Sequence, residues 1–438
     1  MRTIQVGLIG FGTVGSGLAQ VLHEQAERLW KRTGVAIRLK TIVDIRVDRL
    51  PDHLTGINLS KDVNEILDDP EIKIVVELIG GIEPAKSFIL EAISRDKHVV
   101  TANKALLSQQ GREIFGAAAS QGVEIGFEAS VGGGIPLIKA LKEGLVANKI
   151  LSIMGIMNGT ANYILTQMTD YGTSFAEVLK DAQEKGYAEA DPTYDVEGID
   201  TAHKLAILMT IAYGMHVDVG DIITEGISCI RPIDIDFARE FGYRIKLLAV
   251  SRNHGEHVEA RVHPTLISED HLLANINGAY NAFQFTGDMV GDVLLVGLGA
   301  GKMPTGSAVA ADVVDIARNL IHNVANRVPA LSYLPAHIAP RRITPMENLL
   351  CPYYFRIMAL DQPGVLSTIA GILGKHGISI ESVIQKGRRG KGAVPIMIRI
   401  HAAREGEVQR AIAEIDGLDI CTDKAVKIRI LADDDGSN

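Results

Sequence analysis

Glu184, Glu189, Asp191, Asp195, Glu197 and Asp200 crowd one stretch of the chain, and Lys204 follows Asp200 by one helical turn. Residues four apart share a helical face, so the Asp200 carboxylate and the Lys204 ammonium stand together on the helix that begins after Gly198. That helix (Ile199, Ala202, Leu205, Ala206, Ile207, Leu208, Met209, Ile211) is too apolar to be washed by water on most sides. Buried charge is costly unless it is paired or used. Two readings stand at this point. One is a partly solvated ion pair worth about 0.3–0.5 kcal/mol. The other is a site where carboxylates hold a substrate ammonium and a lysine moves a proton.

Chemistry of that kind needs a platform, and the N-terminal segment predicts one. Residues Thr3–Ile9 alternate as a strand, Gly10-Phe11-Gly12-Thr13-Val14-Gly15 follows at once, and a helical pattern runs to about Trp30. Strand, glycine turn and helix in that order are the context in which GxGxxG marks a dinucleotide site. Gly10 permits the tight turn, Gly12 lets backbone approach a pyrophosphate, and Gly15 allows close helix–strand packing. The helix start offers unpaired N–H groups to phosphates. The next strand, Ile37–Val43, ends at Asp44 with Arg46 and Arg49 beyond. The acid suits a ribose diol and an arginine suits a 2′-phosphate, so NAD and NADP both remain open. Alternation continues through strand 74–78, helix 84–94, strand 98–101, helix 105–119 and strand 124–129, which predicts a doubly wound parallel sheet. Lys104, in Thr101-Ala102-Asn103-Lys104, sits at a strand end on the cofactor side, as a cap or as a catalytic group.

Alternation breaks at Ser130-Val131-Gly132-Gly133-Gly134-Ile135-Pro136, where glycines free the backbone and its carbonyls can ligate a cation. Beyond it lie a strand at 150–157, the acidic loop with its helix, and antiparallel strands at 244–251, 257–262, 282–286 and 292–296: an α+β unit whose sheet suits a dimer surface. Gly297–Thr305 precedes a helix expected to pack back on the nucleotide-binding unit. Residues 327–350, carrying Pro329, Pro335, Pro340 and Pro345, read as a linker. The order βαββαβ then restarts, which is ferredoxin-like, with a basic loop at Lys386, Arg388, Arg389 and Lys391. The expected domains are 1–135 (completed by a helix at 305–326), 136–304 and 351–434, an α/β chain overall.

A net charge of -9 argues against nucleic acid and anionic membranes. No run reaches ~18 apolar residues, so no bilayer span is expected, and Met1 leads straight into a strand without a signal-peptide core. A cytoplasmic protein is expected. Cys229, Cys351 and Cys421 are odd in number and scattered, against a disulfide framework or zinc cluster.

Asp361-Gln362-Pro363-Gly364-Val365-Leu366 followed by His376-Gly377-Ile378-Ser379-Ile380 resembles the ACT domain, a sensor of small amino acids. With Gly155-Ile156-Met157-Asn158-Gly159-Thr160, Thr101-Ala102-Asn103-Lys104 and Gly186-Tyr187-Ala188-Glu189-Ala190-Asp191-Pro192…Asp195-Val196-Glu197-Gly198-Ile199-Asp200…Lys204, the chain from about 3 to 430 resembles the homoserine dehydrogenase family with a C-terminal ACT domain. The resemblance implies reversible NAD(P)-dependent interconversion of L-aspartate 4-semialdehyde and L-homoserine in threonine, methionine and isoleucine biosynthesis. It implies that Glu189, Asp195 and Asp200 hold substrate with the backbone at Thr160, and that Lys204 and Lys104 handle protons. It further implies that Gly301 sits at the cofactor–substrate junction. Glu128 with the carbonyls of Val131, Gly133 and Ile135 would hold a monovalent cation, sodium. L-threonine is the expected effector, a homodimer or homotetramer the expected assembly, and a monofunctional enzyme the expected form. A lysine of ordinary pKa, ~10.4, would serve the reducing direction without tuning, and the surrounding acids would keep Lys204 protonated. Two rivals remain: a thiol-dependent semialdehyde dehydrogenase, which needs an activated cysteine, and a non-catalytic amino-acid sensor with NAD(P) as a structural ligand.

Overall fold

Parallel strands in a doubly wound sheet are covered on both faces, and the first strand, Thr3–Ile9, alternates at its start and is fully buried from Val6 to Ile9. The computed structural model describes residues 2–385 and 392–432, so the basic loop at 386–391 lies outside the described residues. Six parallel strands stand in the order Asn58–Ser60, Ala36–Val43, Thr3–Ile9, Ile72–Glu77, His98–Thr101, Ile125–Gly126, the doubly wound arrangement that binds dinucleotides at its strand ends. Val6, Leu8 and Val76 face a layer made by Leu18 and Leu22 of the helix Thr13–Glu24 and Val309, Val313 and Ala317 of the helix Lys302–His322. Ile9 and Val75 face the other layer, with Ile89, Ile93, Leu106 and Ile114. The late helix therefore completes the nucleotide-binding unit. Two expectations are corrected locally. The first helix breaks at Gln25 into Thr13–Glu24 and Ala26–Thr33. The strand expected over 124–129 is only Ile125–Gly126, because Phe127 begins a 3-10 turn, Glu128–Ser130, that leads the chain out of the sheet.

The middle unit has antiparallel strands in the order Gly291–Leu298, Tyr280–Gly287, Ile150–Ile156, Tyr243–Asn253, His257–Ser268. Its helices Gly159–Tyr171 and Ile199–Tyr213 pack on this sheet. The C-terminal unit is βαββαβ with strand order Val426–Ile430, Leu350–Leu360, Ala393–Arg404, Ile380–Gln385. Its sheet is not separate. Thr265 pairs with Arg429 and Leu266 with Ile430 in parallel, so the middle and C-terminal strands form one 11-stranded sheet. The proline-rich stretch before it is pinned rather than free. Ala339–Pro340 pairs with Met215–His216, Arg342–Ile343 pairs with His257–Val258, and the Tyr333 ring lies 3.0 Å from where a Cβ on Gly214 would stand.

Candidate active site

Lys104 begins the helix Lys104–Gln121 at the carboxyl end of the strand His98–Thr101. Asn103 caps that helix through its side chain, accepting from Leu106 N at 3.1 Å. From the middle unit, the helix Ile199–Tyr213 starts at Gly198, whose left-handed φ of 79° turns the acidic loop into the helix. The two helices bring three charges together. Lys204 Nζ donates to Asp200 Oδ2 at 2.7 Å and to the Met157 carbonyl at 2.6 Å, while Lys104 Nζ stands 3.0 Å from Asp200 Oδ1. Asn158 Nδ2 donates to Asp200 Oδ2 at 2.9 Å and to Asp195 Oδ1 at 2.7 Å. Its Oδ1 meanwhile caps the helix Gly159–Tyr171 by accepting from Ala161 N at 2.8 Å.

Asp200 and Lys204 are buried, and the Lys104 side chain is one-third exposed (36%). Burial opposes the charge on Asp200, but the two ammonium groups outweigh it and hold the carboxyl well below its ordinary value. The lysines diverge. Burial lowers Lys204 more than Asp200 can raise it, and the charge of Lys104 adds to the lowering. On Lys104 the attraction and hydrogen bond of Asp200 win over burial, and its pKa rises. The acids do pull Lys204 toward its protonated form as expected, but the ordinary lysine pKa expected of it is corrected: two ammonium groups share one carboxylate, and the deeper one is the easier to neutralise. Burial, with the like charge of Asp200, raises Asp195 against its bond from Asn158.

The other acids disperse. Glu184 pairs with Lys180 at 3.9 Å on the surface, Asp191 accepts from Thr193 N, and Glu189 is exposed. Thr160 lies in the first turn of the helix that Asn158 caps, its hydroxyl donating to the Tyr187 carbonyl at 2.7 Å. Sequence reasoning missed Asn158 as a site residue, having no reason to give a cap residue a second duty. It also missed the buried Glu77 at the end of Ile72–Glu77, which accepts from Ile79 N, Gly80 N and the Thr101 hydroxyl. An acid closing an apolar strand before Gly80-Gly81 was the available signal. His203 escaped as well; its Nδ1 lies 2.5 Å from Ser108 Oγ, and its ring stacks on Tyr194.

At the glycine turn, Gly10 has φ 96°, and a Cβ on Gly15 would come 2.1 Å from the Gly10 carbonyl oxygen. A Cβ on Gly12 would meet nothing within 4 Å, so the space a pyrophosphate needs is open there. Thr13 and Val14 start a helix without a side-chain cap, leaving first-turn N–H groups for phosphate. Phe11 N is otherwise engaged: it donates to Asp44 Oδ2 at 2.7 Å, and Arg46 N donates to Asp44 Oδ1 at 2.8 Å. These bonds overcome burial and lower the Asp44 pKa. Arg46 is exposed, whereas Arg49 pairs with Asp52 at 2.7 Å. Gly301, at φ 122°, starts the helix Lys302–His322, and a Cβ on Gly17 would lie 2.2 Å from the Lys302 carbonyl oxygen, which sets that helix start beside the dinucleotide helix.

Cys229, Cys351 and Cys421 all have thiols raised above the ordinary value, burial being the first cause in each. That is the reverse of what a nucleophilic thiol requires.

A doubly wound dinucleotide unit, a lysine–carboxylate–lysine site at its edge and a ferredoxin-like C-terminal unit define a nicotinamide-dependent oxidoreductase with a regulatory domain. Family models match along the chain: "Homoserine dehydrogenase, NAD binding domain" over residues 10–128, "Homoserine dehydrogenase" over 136–314 and "ACT domain" over 353–419. A homoserine dehydrogenase of Neisseria gonorrhoeae is 46% identical over 97% of this chain and 98% of its own length. The crystal structure of a homoserine dehydrogenase from Thiobacillus denitrificans, 48% identical, covers 98% of this chain and 99% of its own with a TM-score of 0.93. A hyperthermophilic archaeal homoserine dehydrogenase mutant in complex with NADPH is 26% identical, over 72% of this chain and 98% of its own, with a TM-score of 0.61. The chain belongs to the homoserine dehydrogenase family. It interconverts L-aspartate 4-semialdehyde and L-homoserine with a nicotinamide dinucleotide, a step of amino-acid biosynthesis.

Proposed function

We propose that Lys204 moves the proton of this reaction and that Lys104 holds charge beside it. The supporting observation is the meeting of both amines on the two oxygens of buried Asp200. The bound nicotinamide supplies the hydride in one direction and takes it in the other. As the aldehyde oxygen gains charge, Lys104, whose proton is held tightly, stabilises it, and Lys204 donates the proton. In the reverse direction neutral Lys204 accepts the hydroxyl proton. An ammonium has three donors; two of those on Lys204 reach Asp200 and Met157, which leaves one for substrate. Asp195 and Glu189 grip the substrate ammonium, with Asp200 behind them, and the helix start at Thr160 faces the carboxylate. Gly301, the conformation of which only glycine adopts readily, lines the nicotinamide side.

Gly10, Phe11, Gly12, Thr13, Val14 and Gly15 form the phosphate turn of this reading, with Phe11 acting as its tie to Asp44. Asp44 serves the ribose and Arg46 a 2′-phosphate, so either dinucleotide is accepted. A monovalent cation, sodium, is assigned to Glu128 with the carbonyls of Val131, Gly133 and Ile135, of which the Ile135 carbonyl also accepts from Leu137 N at 2.9 Å. Gly132 and Gly133 take left-handed φ (71° and 56°), and among the described residues no hydrogen bond ends on the carbonyls of Val131 or Gly133. The Glu128 carboxylate is spent elsewhere, accepting from Ile138 N and Lys139 N at 2.8 and 2.9 Å.

The C-terminal unit is read as the L-threonine sensor. A second copy of the chain is the proposed cover for the edge strand Gly291–Leu298, where Val296 and Leu298 are about half exposed (45% and 47%), because an open apolar edge invites pairing. The proposed setting is the cytoplasm; no helix among the described residues is long and apolar enough to cross a membrane. The test is a steady-state assay with homoserine and either NAD or NADP, with and without L-threonine, and with sodium replaced by choline. Lys204→Ala is expected to lose turnover by about 10²–10⁴-fold while binding NADPH as before. Turnover within tenfold of the parent removes Lys204 from the role given to it.

A further inference from the structure

The substrate loop is braced from behind by the segment Thr224–Ile227. A Cβ on Gly226 would fall 2.1 Å from a carboxylate oxygen of Glu197 and 2.7 Å from its Cα, and one on Gly198 would fall 2.9 Å from Val262 and 3.0 Å from Thr224. Ile227 N donates to the Val196 carbonyl at 2.9 Å, and Glu225 N donates to the Val262 carbonyl at 2.8 Å. Asp195 therefore rides on a backbone that has no slack against residues 224–227. The other side of that brace is gripped by the regulatory unit. Arg429, on the strand that joins the two sheets, donates Nη1 to Glu225 Oε2 at 2.7 Å and Nη2 to Glu225 Oε1 at 2.8 Å. Its Nε and Nη2 also reach the buried Glu405 at 2.9 Å each, and Glu405 is fixed in turn by the Tyr353 hydroxyl at 2.6 Å and by Lys427. Two parallel N–H···O bonds set orientation as well as distance.

We infer that Arg429 and Glu225 are positioning residues: the regulatory unit sets where Asp195 stands, and hence how tightly the amino-acid substrate is held, through Glu225 and the 225–227 backbone. The inference rests on the reading of Asp195 as a substrate acid. The route is a continuous run of contacts from the sheet junction to the site. Its logic is that of a coupling between two sites; the ion cluster would carry any rearrangement of the regulatory strands to the loop.

The test is steady-state kinetics of the full-length protein, with homoserine varied at saturating cofactor, for Glu225→Gln, Arg429→Lys, Asp234→Asn and Asp195→Asn. Glu225→Gln and Arg429→Lys are each expected to raise the KM for homoserine at least about fivefold, the low end of coupling between sites, with kcat and the cofactor KM within about twofold. Asp234→Asn breaks a different buried contact between the same units, Asp234–Arg356 at 2.7 Å, and is expected to lower Tm while leaving that KM in place. An unchanged KM in folded Glu225→Gln and Arg429→Lys, or an equal rise in Asp234→Asn, overturns the inference. If Asp195→Asn raises the KM and these two do not, the relay alone fails. If Asp195→Asn leaves the KM unmoved, the substrate reading fails and takes the relay with it. Should Glu225→Gln not fold, judged by its cofactor-bound Tm, Arg429→Lys keeps the charge without the fork and decides the matter by itself.

Discussion

At the scale of single residues the site is an exercise in unequal sharing. Three charges, two positive and one negative, are brought within 3.0 Å contacts, and protein burial decides which positive charge is the expendable one. Lys204 is lowered and Lys104 raised. Two titratable neighbours pushed apart in this way support the proposed roles of proton carrier for Lys204 and fixed charge for Lys104. The pH dependence has a definite sign. With Lys204 as the proposed base, homoserine oxidation draws on its neutral form, so kcat in that direction is expected to rise with pH, the rise centred below the ~10.4 of a free lysine because burial lowers the group. Lys204→Arg, which stays charged at any working pH, loses the rise altogether. A kcat–pH profile for the parent that falls or is flat from neutral to alkaline pH contradicts the assignment. How much of this was legible differs by residue. The Asp200–Lys204 pair shows in the chain because four residues make one helical turn. Lys104 shows only as a lysine at a strand end, since its meeting with Asp200 depends on how two units dock. The direction of each shift is invisible to sequence, because it turns on depth of burial.

At the scale of elements, local pattern carries most of the architecture. The strand Thr3–Ile9, the strand His98–Thr101 and the helix Val365–Lys375 fall where periodicity places them. The failures have physical causes: Asn58–Ser60 is three residues long and too short for a period to register, and the 3-10 turn at Glu128–Ser130 stays buried while leaving the sheet. The return of Lys302–His322 to the nucleotide-binding unit is legible in the sequence, but the close approach that seats it is not. It depends on Gly17 and Gly306, which allow the two helices to touch backbone to backbone; a Cβ on Gly306 would lie 2.7 Å from Gly17 carbonyl carbon. Gly12 is the opposite case, with open space ahead of it. Gly306→Val is therefore expected to destabilise the protein by about 1–3 kcal/mol through overpacking and to weaken NADPH binding as the helix start at Gly301 shifts. Gly12→Val should leave the denaturant midpoint alone and weaken NADPH binding only. Chemical denaturation and a fluorescence titration of NADPH, run on both variants, separate the two; matching midpoints would refute the close-contact argument.

At the scale of the whole molecule, the proline-rich stretch before Leu350 suggests two bodies on a tether, and the structure replaces the tether with a shared sheet. The pairing of Thr265–Leu266 with Arg429–Ile430 is only two residues long, so side chains must hold the junction. They do so with buried charge. Arg356 Nε donates to Asp234 Oδ1 at 2.7 Å, both side chains at most 1% exposed, and the Tyr354 hydroxyl donates to the same oxygen. Asp234 also accepts from Arg231 N at 3.0 Å, fastening the start of the helix Pro232–Glu240. Removing one partner of such a pair leaves a bare buried charge and costs about 3–5 kcal/mol. The consequence concerns cooperativity. In the parent protein the strand Val426–Ile430 and the strand His257–Ser268 belong to one opening unit, and their slowest amides should exchange with the same free energy. In Arg356→Met the regulatory strands should open first, losing about 3–5 kcal/mol of protection while the six-stranded nucleotide sheet keeps its own. Hydrogen exchange read by mass spectrometry measures both regions in one sample. Equal protection of Val426–Ile430 in parent and variant would mean that the sheet pairing holds the units together without the buried pair. Unequal protection of the two strands already in the parent would mean that the regulatory unit opens independently, as a tethered body does.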